Sequence, residues 1–344
     1  MKRKVVWMGW MIALISAIVV AQPMPVTHSQ FQAVHPDGSS SFDDWGPWQV
    51  TLEGILLNSP EEWLDPTADP KIQPWYMGGQ WEIFIQGEGD DHAATGCWMG
   101  QNYANGPGTK SYSNEEWLAE ICRLNRDPAT GYVFRPGDRV RVTGTYLFYG
   151  GKLNINENHK ADPTFDFTME LVTPQAGLPQ PEVVPLSLIK NENNLDIFDP
   201  NRASGGEYYQ CRRIRIPAVT ITDPENWGVN KTITISDGQG RTLPVVLAIG
   251  QGIKRFPCPK GTIDVIGILD QKAPSSSRLK EGYRLYVFNY DGNGLVLGDS
   301  GYSRGNLPGD INHDFVVDLS DFAELAQQWL RSRAGLYGCD EGGE

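Results

Sequence analysis

The residues whose types and spacing best suit chemistry lie near the C-terminal end. Residues 309–330 read GDINHDFVVDLSDFAELAQQWL. With Asp310 as position one, Asn312 stands at three, Asp314 at five, Val316 at seven, Asp318 at nine and Asp321 at twelve. A twelve-residue loop with oxygens at those positions suits Ca²⁺, a hard cation that takes roughly six to eight oxygen ligands. Asp310, Asn312 and Asp314 would wrap one side of the ion. The Val316 carbonyl and Asp318 would add to the shell, and Asp321 would close it. The next segment places Phe322, Leu325, Ala326, Trp329 and Leu330 on one helical face. Asp321 sits at the start of that helix, where its charge also favours the positive helix end.

The order Asp-x-Asn-x-Asp, x, two apolar residues, Asp, x, x, Asp and an apolar helix resembles a single type I dockerin repeat, an EF-hand-like module. The resemblance implies calcium binding and a cohesin-like or cell-surface protein as partner. The segment departs from the family in two respects. Phe315 stands where the loop normally has a turn glycine, and one repeat is present instead of two. Asp321 also reaches less far than the usual Glu. The nearest second loop, residues 289–294 (NYDGNG), has oxygens at alternate positions but Ser300 at position twelve, and reads as a β-turn.

Such a module would be displayed outside the cytoplasm if the N-terminus directs export. Lys2, Arg3 and Lys4 precede an almost wholly apolar run over residues 5–20, and Val19, Val20 and Ala21 offer small residues for cleavage. Residues 1–21 are therefore expected as a signal peptide. The mature protein would be secreted or extracytoplasmic, at the cell surface or in the periplasm, with no membrane span. A net charge of −13 disfavours a general binder of phosphate backbones, which needs a basic face.

The elements between these ends read as strands. Residues 50–57 (VTLEGILL), 81–85 (WEIFI), 139–145 (RVRVTGT), 148–155 (FYGGKLNI) and 165–172 form a first block. Residues 115–124 (EEWLAEICRL) have helical spacing. Residues 173–185 are Pro-rich. A second block follows at 211–221, 231–236, 243–249, 261–269 and 283–289. The 38 Gly and 24 Pro fit a turn-rich β protein.

Three landmarks recur in order. PEEW (60–63) matches PENW (224–227), WEIFIQGEG (81–89) matches TITISDGQG (232–240), and GDRVRVTG (137–144) matches GTIDVIG (261–267). An internal duplication is expected, with an insertion around residues 90–135 of the first copy. The strand order resembles the OB-fold, a five-stranded barrel. Residues 205–220 (GGEYYQCRRIRIPAVT) resemble the opening strand of OB modules in bacterial secreted nucleases. The expected fold is mainly β: two small OB-like β-barrels in tandem, then a calcium loop with its helix. The expected boundaries are 22–44 flexible leader, 45–172 first barrel, 173–208 linker and 209–299 second barrel. Residues 300–308 form a linker, 309–334 the dockerin-like repeat and 335–344 a tail.

Export permits disulfides. Cys97 with Cys122, and Cys211 with Cys258, is the simplest pairing, leaving Cys339 in the tail. Trp98, Tyr103 and Tyr112, with Trp75 and Tyr76, read either as a stacking face for a glycan or as caps on a barrel core. His92, beside Asp90 and Asp91, reads as a polar loop tip. Arg212, Arg213 and Arg215 cluster on one strand, but neighbouring strand residues face opposite ways. The sequence has no HExxH, GxSxG or Walker motif. The expected function is extracellular binding or assembly by a calcium-binding, non-catalytic protein with no catalytic residues assigned. The rival readings are a dockerin-bearing component of polysaccharide degradation and OB-type nucleic-acid binding, which the charge makes unlikely. N-terminal sequencing of exported protein should begin at Gln22; exported material that retains Met1 would overturn the signal assignment.

Overall fold

Arg139–Gly144 alternates strictly: Val140 and Val142 are fully buried, while Arg139 and Arg141 face out. That period of two makes a half-buried strand, and the outward arginines pair with Glu88 at 2.7 Å and Glu53 at 3.0 Å. The same logic runs through a mainly β protein. The computed structural model describes residues 23–42, 49–59, 80–101, 112–156 and 166–290, with 292 and 296–297. The expected signal peptide and dockerin-like repeat lie outside these residues.

In chain order the first part comprises β1 (Met24–Pro25), α1 (His28–Phe31), β2 (Val50–Leu56), β3 (Gln80–Gln86) and β4 (Ala94–Gly100). It continues with α2 (Asn114–Leu124), β5 (Arg139–Gly144), β6 (Tyr146–Tyr149), β7 (Lys152–Asn156) and β8 (Thr168–Thr173). The strands follow the order β6-β7-β4-β3-β2-β5-β8, with β1 added beside β2. β4 and β7 run parallel; β2 pairs antiparallel with both β3 and β5. β5 and β7 meet at their ends, where the Asn156 N–H donates to the Thr145 carbonyl at 3.0 Å. α2 starts with a capping box, in which Ser113 and Glu116 satisfy each other's backbone N–H groups. Its Trp117, Ile121 and Leu124 enter the core with Trp81, Ile83, Phe134 and Phe167.

The second part comprises β9 (Glu182–Val183), α3 (Gly205–Tyr209), β10 (Arg213–Ile221), β11 (Lys231–Ser236) and β12 (Thr242–Leu247). It ends with α4 (Gln251–Arg255), β13 (Ile263–Gln271), β14 (Tyr283–Val287) and β15 (Val296–Leu297). Here a five-stranded barrel closes: β10 pairs β11, β11 pairs β12, β12 pairs β14 in parallel, β14 pairs β13, and β13 returns to β10. Closure requires β10 to reach β13 as well as β11. β10 does so through an irregularity between Ile216 and Val219, at Pro217-Ala218, where Ala218 has φ +53°. Arg213 to Ile216 and, past the irregularity, Val219 pair with β13, while Thr220 and Ile221 pair with β11. A bulge of this kind bends a strand round a barrel corner. Two of the three matched landmarks coincide in place: 81–89 holds most of β3 and 232–240 most of β11, while 137–144 holds β5 and 261–267 opens β13; the other pairs 224–227 with residues 60–63, which lie outside the described residues.

Four expectations need correction. Residues 23–42, expected as a flexible leader, belong to the first unit. β1 pairs in parallel with β2, and Phe31 and Phe42 join the core. Their apolar residues are few but well placed among Gln, Pro and Ser, so composition concealed them. Residues 173–208, expected as an exposed linker, contribute β9 to the second sheet and Val184, Leu186 and Ile189 to its core. The stretch around 90–135, expected as an insertion, contains β4, a central strand whose ATGCWMG sequence has no clean alternation. Finally, Cys97, Cys211 and Cys258 are free thiols, so neither expected disulfide forms. Cys97 packs inside the first core and Cys211 in a separate cluster between the two units.

α1 is fixed from outside its own segment. Asp91 accepts the His28 and Ser29 N–H groups at 2.7 and 2.8 Å, satisfying two donors of a helix start. His28 is fully buried, with Nδ1 2.9 Å from Thr95 Oγ1 and Nε2 3.2 Å from the Glu53 carbonyl. Burial lowers its pKa to about 4 from 6.5, against the opposing pull of Asp91. The unfolded chain therefore binds a proton at a pH where folded His28 refuses it. Stability should rise with pH between about 4 and 6.5, by on the order of 3 kcal/mol from this group. Denaturant midpoints measured across that window should show the rise, and His28→Asn should flatten it; an unchanged slope in the variant would refute the role of His28.

Candidate functional site

The two units are joined by a seam built from strand faces that a single barrel would leave in water. On β3, Trp81, Ile83 and Ile85 point into the first core, so Glu82, Phe84 and Gln86 take the opposite face. On β7, Leu153 and Ile155 point inward and Lys152 and Asn154 outward. On β13 and β14, Asp270, Arg284 and Tyr286 likewise face away from the second core. These outer faces meet. Leu57, Phe84 and Ala94 pack with Cys211, Ala248, Ile268, Tyr286 and Phe288 in one buried cluster.

Four charged side chains form one network at the centre of this seam. Lys152 is only 5% exposed, and its Nζ donates to Glu82 Oε1 at 2.8 Å and to Asp270 Oδ1. Arg284 Nε donates to Asp270 Oδ2 at 2.9 Å, and its guanidinium lies 4.8 Å from the centre of the Tyr286 ring. Lys152 Nζ lies 5.4 Å from the centre of the Phe84 ring. Two cations thus face two carboxylates. Burial opposes the charge on Lys152, but Asp270 and Glu82 more than offset it and hold the ammonium above its ordinary range. Burial also works against Asp270, yet Lys152 and Arg284 hold that carboxyl below its usual value. Glu82 goes the other way: burial, with the charge of Asp270, raises it despite Lys152. Burial pushes the Cys97 thiol well up and the Cys211 thiol to about 12, so both are protonated structural groups rather than nucleophiles.

Hydrogen bonds extend the seam. The β6–β7 turn uses Gly150 and Gly151, with φ of +65° and +93°, the conformation that tight hairpins require. It docks on the second unit: the Ala273 N–H donates to the Gly150 carbonyl at 2.8 Å, and Gln210 Nε2 to the Gly151 carbonyl at 3.3 Å. Arg213 N–H donates to Gln86 Oε1 at 3.0 Å. Arg202 bridges the Gln32 carbonyl and Glu207, whose other oxygen accepts from Tyr283 at 2.7 Å.

At the rim of the seam His92 stacks on Tyr208, ring centres 3.9 Å apart and planes 12° apart. Its Nε2 is 3.1 Å from Glu182, which also faces Arg212 at 3.7 Å. His92, expected at a polar loop tip, therefore joins the two units. The three arginines are engaged too: Arg212 with Glu182, Arg213 with the Pro179 carbonyl and Arg215 with Asp264. Tyr112 caps the first core beside Trp117, with ring centres 5.9 Å apart, and Trp98 is half-buried. Trp75, Tyr76 and Tyr103 lie outside the described residues. Asn289 accepts the Gly252 N–H at 2.8 Å and serves the start of α4.

The expected calcium ligands Asp310, Asn312, Asp314, Val316, Asp318 and Asp321 also lie outside the described residues. Among the described residues, no group of three or more His, Cys, Asp or Glu side chains is placed to hold a metal ion. Among them too, no helix is long and apolar enough to cross a membrane. No protein-family model matches this chain, and no curated protein is detectably similar to it.

The seam charges were missed because Glu82 and Lys152 occupy alternate strand positions, where water is the ordinary expectation. One signal was available: Phe84 lies between Glu82 and Gln86 on a face that would otherwise read as solvated. Removing one partner of a buried ion pair leaves the other uncompensated, at a cost of about 3–5 kcal/mol. Lys152→Met should destabilise the protein by that order in chemical denaturation. Lys152→Met with Glu82→Gln should recover part of the loss. A single variant as stable as the parent would show that the seam does not depend on Lys152.

Proposed function

We propose that the chain is an exported, calcium-binding, dockerin-like protein whose two OB-like barrels form a non-catalytic body for extracellular binding or assembly. The observation that carries this reading is the spacing of Asp310, Asn312, Asp314, Asp318 and Asp321 before the apolar face of Phe322, Leu325 and Trp329. Unbound, these carboxylates repel one another in one turn. A bound cation would offset that repulsion and fix the first turn of the helix.

The OB-like reading of the body rests on strand order. In the second barrel the first strand pairs with the second and fourth, and the third runs parallel to the fifth. The first sheet repeats those relations with β2, β3, β4, β5 and β7. In both, a helix lies between the third and fourth strands. The partner of such a protein would be a cohesin-like or cell-surface protein, or a glycan. A nucleic acid is disfavoured by the net charge of −13 and by the carboxylates and carbonyls that occupy Arg212, Arg213 and Arg215.

Affinity for Ca²⁺ should fall at roughly 10⁻⁴–10⁻³ M, the range of extracellular modules. Titration calorimetry of Ca²⁺ into the full chain and into an Asp310→Ala, Asp314→Ala double variant tests this. The parent should bind with that affinity and the variant should not. Equal heats would refute the site. Phe315→Gly should tighten binding, because the loop turn there prefers positive φ.

A further inference from the structure

Lys152, Asp270 and Glu82 make an arrangement whose chemistry goes beyond holding two units together. An amine touches two carboxylates, all three side chains are more than nine-tenths buried, and the amine and Asp270 come from different units. Apolar groups close the surroundings: Phe84 beside the amine, with Ile268, Cys211 and Tyr286 in the same cluster. We propose that Lys152 and Asp270 condense into an isopeptide bond across the seam, with Glu82 relaying the protons. The seam would then be a self-catalysed covalent modification site.

The step balances without any co-reactant. The Lys152 ammonium passes a proton through Glu82 to Asp270 Oδ1, and the freed amine attacks Cγ of the resulting carboxylic acid. The C–N bond forms, and the negative charge gathers on Oδ2, which faces Arg284 Nε at 2.9 Å. A fixed cationic donor at that oxygen is the kind of preorganised stabilisation that acyl chemistry uses. A second proton leaves the nitrogen. Both protons reach Oδ1, which departs as water, and Glu82 ends as the carboxylate it began. No group is oxidised or reduced.

The two carboxylates are suited to different roles. Asp270 is held by two cations and is the acceptor that Arg284 polarises. Glu82 is the stronger base, because burial raises it while, among the described residues, Lys152 alone hydrogen-bonds to its carboxylate. Its position is set by an absent side chain: a Cβ on Gly96 would lie 2.7 Å from Glu82 Oε1. Holding amine and carboxyl in contact supplies the proximity that makes intramolecular condensation fast. The product also replaces one buried ion pair by a neutral amide, which removes a desolvation cost.

Mass spectrometry of the purified full chain, denatured and reduced, tests the proposal. The intact protein should be lighter by one water than its processed sequence. A tryptic map should yield a branched peptide joining an uncleaved Lys152 to the segment with Asp270. Lys152→Arg and Asp270→Ala should each restore the full mass. Glu82→Gln keeps both reacting residues and should lose most or all of the cross-link while circular dichroism still reports the β fold. A parent chain of full sequence mass, with Lys152 and Asp270 in separate peptides after prolonged incubation, would overturn the proposal. So would a water deficit that persists in Lys152→Arg.

Discussion

A lysine ammonium that cannot reach water must be neutralised where it stands, and much of this protein's architecture follows from how that is done for Lys152. Its two carboxylates come from β3 of the first unit and β13 of the second. Neither unit alone satisfies it. The strand faces carrying Glu82, Phe84 and Lys152 would be the solvated side of an isolated barrel. Here they form an interior. The docked Gly150–Gly151 turn, the Gln86–Arg213 contact and the His92–Tyr208 stack all lie around that charged centre. The units therefore resemble two halves of one core more than two beads on a string.

The two units share several strand relations but are completed differently. Both place a helix between their third and fourth strands and set the third strand parallel to the fifth. The second closes fully through the bulge at Pro217-Ala218. In the first sheet β5 and β7 meet at their ends, where Asn156 bonds Thr145, and β1, α1 and β8 are added around its edge. Asp91, from the β3–β4 loop, holds the start of α1. A polar N-terminal segment thereby becomes part of the first core.

The sequence was most legible where a strand is half-buried against one core. The 231–236 strand has the bounds expected of it, and Tyr146–Tyr149 with Lys152–Asn156 forms the expected Gly-Gly hairpin. Periodicity failed where a strand is buried on both faces. Ala94–Gly100 carries small residues instead of an alternation, because β3 and β7 flank it and the second unit covers it. It failed also for the seam charges, since Asp270 and Glu82 take their partners from residues far away in the chain. Cysteine arithmetic failed for a related reason. Cys97 and Cys211 are used as small buried groups, and apolar burial is as ordinary a role for cysteine as a disulfide.

The partners at the centre of the seam are separated by 118 residues, and that distance sets an order of events. A chain made from its N-terminus completes the first sheet while β13 is still unmade. During that interval Lys152 and Glu82 face water and Phe84 is uncovered. Contacts of such long range are slow to form, since the loop entropy comes before any reward. The first unit is then a transient species with a sticky, charged face shaped for only one neighbour. Assembly ends when that neighbour, tethered by the short path through β9, folds against it. The tether makes the encounter intramolecular and keeps the exposed face from meeting other chains.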